Sequence, residues 1–179
     1  MPAVTGPCAT HNKLRNKTFK FCCQSAGLHA ELEKQNLLLP ARPNSRDTAR
    51  RPADIYLPTW YHGLPAALDF AVTSPTQPAF VGTASNVALH AASSYSETKR
   101  AHLNTAAACS DAGVTFLPMV CESTGAWATE ASAVLKQLAK AAALREGTST
   151  STVYRRLLQQ LSVTVRTANA RAQLRRLGQ

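Results

Sequence analysis

Two short apolar runs, residues 53–58 and 66–73, flank the turn-forming stretch "TWYHGLP". Their alternation of apolar and polar positions predicts a β-hairpin. If the hairpin is symmetric about the point between Tyr61 and His62, residues whose numbers sum to 123 lie opposite one another. Ile55, Leu57, Leu68, Phe70 and Val72 then share a core-facing side, because side chains alternate along a strand. Asp54 and Asp69 become cross-strand neighbours on the other side.

The remaining pattern predicts mostly helix. Residues 12–26 carry Leu14, Phe19, Phe21 and Cys22 at loosely helical spacing and stop at Gly27. A Pro- and Arg-rich loop, "PARPNSRDTARRP", precedes the hairpin, and another loop covers 75–84. An Ala-rich helical stretch follows over 85–109. Residues 114–120, "VTFLPMV", read as a buried strand, with Pro118 placing it at an edge or a strand end. Ala131, Leu135, Leu138 and Ala142 line one side of an amphipathic helix over 126–145. A last helix carries Tyr154, Leu157, Leu158 and Leu161, with arginine on its polar face. This order describes a small α/β domain with a mixed sheet.

Composition adds bounds. The chain has 179 residues, enough for one domain with a real core, and 45% apolar against 17% charged residues is a globular balance. Lys and Arg outnumber Asp and Glu 20 to 10, and the excess lies at the two ends. Residues 53–98 contain no Lys or Arg at all. A basic periphery around two aspartates suits a polyanion held near metal-binding carboxylates, although solvated helix faces would also account for the charge. No apolar run is long enough for a membrane span, and the N-terminus lacks the apolar core of a secretory signal. The expectation is an intracellular protein whose five cysteines are reduced thiols.

The aspartates carry the candidate chemistry. Opposed carboxylates have β-carbons roughly 4.5–5.5 Å apart and repel unless something positive lies between them. A divalent cation fits, since Mg²⁺ binds through one or two carboxylates plus phosphate oxygens and activates water against a phosphodiester. The plainer alternative is that one aspartate caps a turn or pairs with Arg50 or Arg51. Lys99 is the first cation after the hairpin. On the predicted helix it shares a face with Tyr95 and His102, while Arg100 points roughly 100° away; as a plain helix residue it would simply be solvated.

The segments "HNKLRNKTFKFCCQSAGLHAELEK", "RPADIYLPTW", "AALDFAVTSP", "YSETKRAHL", "FLPMVCESTGAW" and "ANARAQLRRL" occur in this order. Together they resemble the restriction-like endonuclease domain that closes the polyproteins of some non-LTR retrotransposons, a branch of the PD-(D/E)XK superfamily. The resemblance runs from about His11 to Leu177. It implies a restriction-endonuclease-like fold: a small mixed sheet flanked by helices, with residues 1–10 an extension, 11–147 the nuclease core and 148–179 a basic helical extension packed on it. It also implies that Asp54 and Asp69 are catalytic acids holding Mg²⁺ or Mn²⁺, that Glu33 completes the metal site, and that Lys99 is the catalytic lysine.

The chain departs from the superfamily pattern at Ala71, two residues after the second acid, where the lysine usually stands; in this branch it appears displaced onto the following helix. "RPAD" also inserts an alanine into the simpler "PD". Of the family's Cys/His zinc knuckle only "GPCATHN" remains; Cys8 with His11, or Cys22 with Cys23, are too few for a closed zinc site, and Cys22 and Cys23 read better as core residues. Glu122, Gly125 and Trp127 match the family's "E..G.W" segment, with Glu122 read as a cap for the next helix. Trp60, Tyr61 and His62 at the hairpin tip are weaker candidates for DNA contact.

The implied activity is metal-dependent nicking of double-stranded DNA, with Lys13, Arg15, Arg50 and Arg51 as phosphate contacts, a nuclear location, and a reverse transcriptase of the same element as a possible partner. No polymerase lies within the 179 residues, so the chain reads as a fragment, a separated reading frame or a relic. The competing readings are a catalytically silent DNA-binding or structural remnant of the same fold and, behind it, a helical scaffold for a protein partner.

Overall fold

A computed structural model describes residues 19–38 and 52–177. The hairpin forms from β2 (Ile55–Leu57) and β3 (Ala66–Thr73). Ile55 lies opposite Leu68, Tyr56 opposite Ala67 and Leu57 opposite Ala66, which is the register expected from the symmetric turn. The tip is a short 3₁₀ turn, Tyr61–Gly63, in which His62 (φ 55°) and Gly63 (φ 77°) both take left-handed conformations that reverse the chain.

β4 (Thr115–Glu122) runs parallel to β3 over eight residue pairs, from Ala66 with Thr115 to Thr73 with Glu122. A two-residue strand that the pattern did not predict, β1 (Glu31–Leu32), pairs antiparallel with β2 on the other side. It is too short for period two to register. The sheet is therefore mixed and ordered β1-β2-β3-β4, with β4 at an edge. Thr115 N–H donates to Pro65 O and Ser123 N–H to Thr73 O, so the odd-numbered amides of β4 face β3. Pro118 falls on the outward-facing set, where its missing N–H costs no ladder bond. The chain itself covers the C-terminal end of the outer edge: Ala128 N–H donates to Val120 O at 3.0 Å and Glu122 N–H to Ala126 O at 2.7 Å.

Alternation along the strands divides the core. Ile55, Leu57, Leu68 and Phe70 are buried on one face, with Val72 partly buried against the same cluster, as expected. Helices α1 (Lys20–Ser25), α5 (Thr129–Glu146) and α6 (Thr150–Leu177) cover this side. Phe19, at the start of α1, meets Phe70 edge-on with ring centroids 4.6 Å apart. α5 buries Ala131, Leu135, Leu138 and Ala142, all four of its predicted positions. α6 lays Val153, Leu157, Leu161, Val165 and Ala168 on the core at three- and four-residue spacing, leaving Tyr154 and Leu158 half-buried beside them.

The β3–β4 crossover covers the opposite face, which holds Tyr56, Ala67 and Phe116 with Cys109 and Val114. Its helical stretch is not continuous. A short helix, α2 (Val81–Ala84), lies within the expected loop, followed by α3 (His90–Ala101) and α4 (Thr105–Asp111). Leu103 (φ 48°) and Asn104 (φ 54°) break the last two apart. Residues 102–104 are all exposed, so no buried contact holds this turn in helical form, and asparagine tolerates the left-handed region. The break corrects one expectation: Tyr95 and Lys99 share a helical face, but His102 lies beyond the end of α3.

Cys22, Cys23, Cys109 and Cys121 are buried thiols outside any disulfide, and burial pushes those of Cys22, Cys23 and Cys121 up to about 12. Cys22 and Cys23 are core residues, as read from the sequence. Among the described residues no helix is long and apolar enough to cross a membrane. Leu161 is fully buried between α6 and the rest of the core. Leu161→Ala is expected to cost about 2–5 kcal/mol of stability, measured by urea denaturation.

Candidate active site

Asp54 immediately precedes β2, at a bend where the regular ladder, whose last pair is Ile55 with Leu68, gives way. Its N–H donates to Leu68 O at 2.9 Å, so it lies beside Asp69 of β3 without forming the directly opposed pair that the symmetric register predicts. On its other side Glu33 N–H donates to Asp54 O at 3.0 Å. Glu33 thus adjoins Asp54 on one side, while Asp69 lies level with Pro118 of β4 on the other. Glu33 has left the strand there, with φ at 47°.

The Asp54 carboxylate also holds the backbone in place, since its Oδ2 accepts the Phe70 N–H at 2.8 Å. It supplies the acceptor that β2 no longer offers at this point; the plainer reading had an aspartate capping a turn, whereas this carboxylate receives an amide from within β3. The other plain alternative, pairing with Arg50 or Arg51, lies outside the described residues. So do Lys13 and Arg15, and Cys8 and His11 of the residual zinc motif.

Asp69 is half-buried in the middle of β3. Across thirty residues of chain, Lys99 Nζ from α3 reaches its Oδ2 at 2.6 Å. The lysine is the more enclosed partner, with 17% of its side chain exposed against 26% for the aspartate. Tyr95, one turn earlier, places its ring 6.0 Å from the ammonium. Burial pushes the Asp69 carboxyl above its ordinary value, Lys99 pulls it back, and the neighbouring Asp54 raises it further, both by charge and by a hydrogen bond between the two acids. Two neighbouring carboxyls each disfavour the other's charged form.

The same closeness is what a cation would use. A Mg²⁺-sized ion asks for only one or two carboxylates when phosphate oxygens and water complete its shell. The neighbouring aspartates Asp54 and Asp69 supply two carboxylates. A fuller protein cage is not assembled: among the described residues no group of three His, Cys, Asp or Glu side chains could hold a metal. Glu33 is brought beside Asp54 through the backbone and does not join the aspartates as a third ligand.

Glu122 differs from expectation. It does not cap the helix that follows it. Its buried carboxylate turns to the preceding helix, where Oε1 accepts the Ala92 N–H of α3 at 3.4 Å, and Oε2 lies 3.4 Å from the Thr124 hydroxyl. Leu89, at the N-cap of α3, has no side-chain acceptor, so the free amides of that first turn need one from elsewhere. Gly125 (φ 98°) makes the tight turn of the "E..G.W" segment, and Trp127 is buried against Phe19. At the hairpin tip Tyr61 and His62 are exposed, whereas Trp60 packs against the core.

Sequence reasoning missed Lys34. Its ammonium pairs with Glu31 at 3.1 Å and lies 4.2 Å from the centre of the Tyr56 ring, two positions along the strand from Asp54. The three-residue spacing from Glu31 was visible, but the strand that brings both to Tyr56 was not.

In comparisons with known proteins, no family model and no curated protein sequence matches the chain. The features the structure itself defines are a mixed α/β fold and two neighbouring aspartates, one of them met by a lysine from a nearby helix.

The electrostatics of Asp69 have a sign. Because burial raises its carboxyl above 3.8, ionising it costs the fold stability once the pH exceeds that value. Asp69→Asn removes the cost. The variant is expected to melt higher than the parent at pH 7 in metal-free buffer, with the difference vanishing as the pH falls to about 3. Thermal melts across that range check it.

Proposed function

We propose that this chain is a metal-dependent DNA endonuclease of the restriction-like type, derived from a non-LTR retroelement. The observation that carries the reading is the meeting of Lys99 with Asp69 beside Asp54. Three residues singled out by family resemblance, spread over 46 positions, converge on one end of the hairpin, and the lysine arrives from the helix to which this branch displaces it.

In this reading Asp54 and Asp69 hold Mg²⁺ or Mn²⁺, with Glu33 acting through a water from beside Asp54. The ion, when bound, supplies charge to a scissile phosphate and acidity to a water. Lys99 orients that water for in-line attack and balances the charge that builds on the phosphoryl oxygens. A bond forms from the water oxygen to phosphorus and the bond from phosphorus to the 3′ oxygen breaks. The products are a 5′ phosphate and a free 3′ hydroxyl able to prime a reverse transcriptase of the same element. Asp69 holds Lys99 in place before substrate arrives, so the cation is ordered in advance.

The charge distribution favours a polyanion, and the family resemblance makes double-stranded DNA the substrate of this reading. The site's own stretch, 53–98, has no cation, while the final helix presents exposed Arg155, Arg166 and Arg171. Phosphate contacts by Lys13, Arg15, Arg50 and Arg51, and a nuclear location, belong to the same proposal.

Nicking of supercoiled plasmid at low salt tests it. The parent should nick with Mg²⁺ or Mn²⁺ and not with EDTA. Asp69→Asn should abolish nicking, and Lys99→Met should slow it about 100-fold while leaving DNA binding intact. Equal binding by all three proteins with no cleavage by any would support the silent remnant instead.

A further inference from the structure

We infer that the β4–α5 connection, residues 122–130, is a two-point clamp on α3 that sets the position of Lys99. The inference rests on the nuclease reading for its catalytic consequence, but its structural content stands apart from it.

α3 has weak local reasons to sit where it does. Leu89 enters it in a left-handed conformation (φ 62°, ψ 14°) and offers no side-chain cap. At the other end His102 (φ −58°, ψ 120°) closes the helix only through its backbone N–H on Thr98 O, before the left-handed Leu103 and Asn104. A leucine in the left-handed region is strained, so the entry to α3 persists only if something outside the helix holds it.

Both holds come from one segment. At the first turn Glu122, the last residue of β4, accepts the Ala92 N–H, and its negative charge also lies at the favourable end of the helix dipole. At the last turn Arg100 donates to Glu130, in the first turn of α5. Lys99 is the residue next to this anchor. The two attachment points on α3 are eight residues apart, about 12 Å along a helix, and Lys99 lies between them.

The clamp itself is firmly seated. Ser123 N–H donates to Thr73 O at the end of β3, and Asn169 of α6 donates to Ser123 O at 2.7 Å. Trp127 and Ala128 are buried, and Ala128 is tied to Val120. The segment is therefore fixed to the sheet, to α5 and to α6, and passes that rigidity to α3. Glu122, Arg100 and Glu130 act on the reaction through Lys99, as positioning residues.

The test uses Arg100→Gln, Glu130→Gln, the charge exchange Arg100→Glu with Glu130→Arg, and Glu122→Gln. Amide hydrogen exchange on metal-free protein is the first readout. Each single variant should exchange faster over residues 90–101 with β3 and α5 unchanged, and the charge exchange should restore protection. The second readout is nicking: the single variants should lose about 10- to 100-fold in kcat with KM for DNA little altered, again rescued by the exchange. Unchanged exchange in α3, or a loss in the single variants that the charge exchange fails to restore, would overturn the clamp. If the parent nicks nothing, the nuclease reading fails and the exchange data decide the clamp alone. Should Glu122→Gln unfold because its site is buried, the exposed-side pair Arg100 and Glu130 still decides it.

Discussion

The pairing of β3 with both of its neighbours is the constraint on which everything else rests. All eight residues of β3 are held in parallel register by β4, and the first three, Ala66 to Leu68, are also paired antiparallel with β2. Because side chains alternate, that double register decides at once which residues enter the core and which face the crossover helices. A slip of one position would exchange Asp69 for Phe70, placing a ring at the site and a carboxylate among Ile55, Leu57 and Leu68. The buried face opposes that exchange strongly, so the apolar core fixes where the acids stand.

This arrangement places a cost at its centre. Asp69 is partly withdrawn from water, close to a second acid, and only partly compensated by one lysine. A fold selected for stability alone would place a neutral side chain there. Keeping the carboxylate is intelligible if the site exists to bring opposite charges together under low solvent exposure, where their interaction is strong. The cost is met by the large apolar face behind it, built from Phe70, Leu68 and the helices laid across them.

The hairpin, its register, the core-facing residues and the edge position of Pro118 were legible from alternation and turn chemistry. The helix over 129–146 and the stripe of α6 were legible from their apolar spacing. What the sequence concealed was nonlocal. β1 is two residues long, and only its partner in β2 makes it a strand. The break at Leu103 and Asn104 sits in an Ala-rich stretch whose composition favours helix on both sides. Lys99 was picked out by resemblance, but its ion pair spans thirty residues, and no local pattern reports such a contact. The role of Glu122 was misread for the same reason: nearness in sequence pointed to the following helix, while the crossover brings the preceding one to it.

The outer side of β4 has a consequence for how these molecules can meet one another. Exposed strand edges invite a second chain to join the sheet, which is how many soluble proteins begin to aggregate. Here Pro118 offers no donor, and the Val120 carbonyl and Glu122 amide are already taken by Ala128 and Ala126. A neighbouring copy finds the C-terminal end of that border occupied and, further back, a proline that cannot donate. What remains open to a second chain is only the short beginning of the strand, which narrows the ways in which crowded copies can extend the sheet.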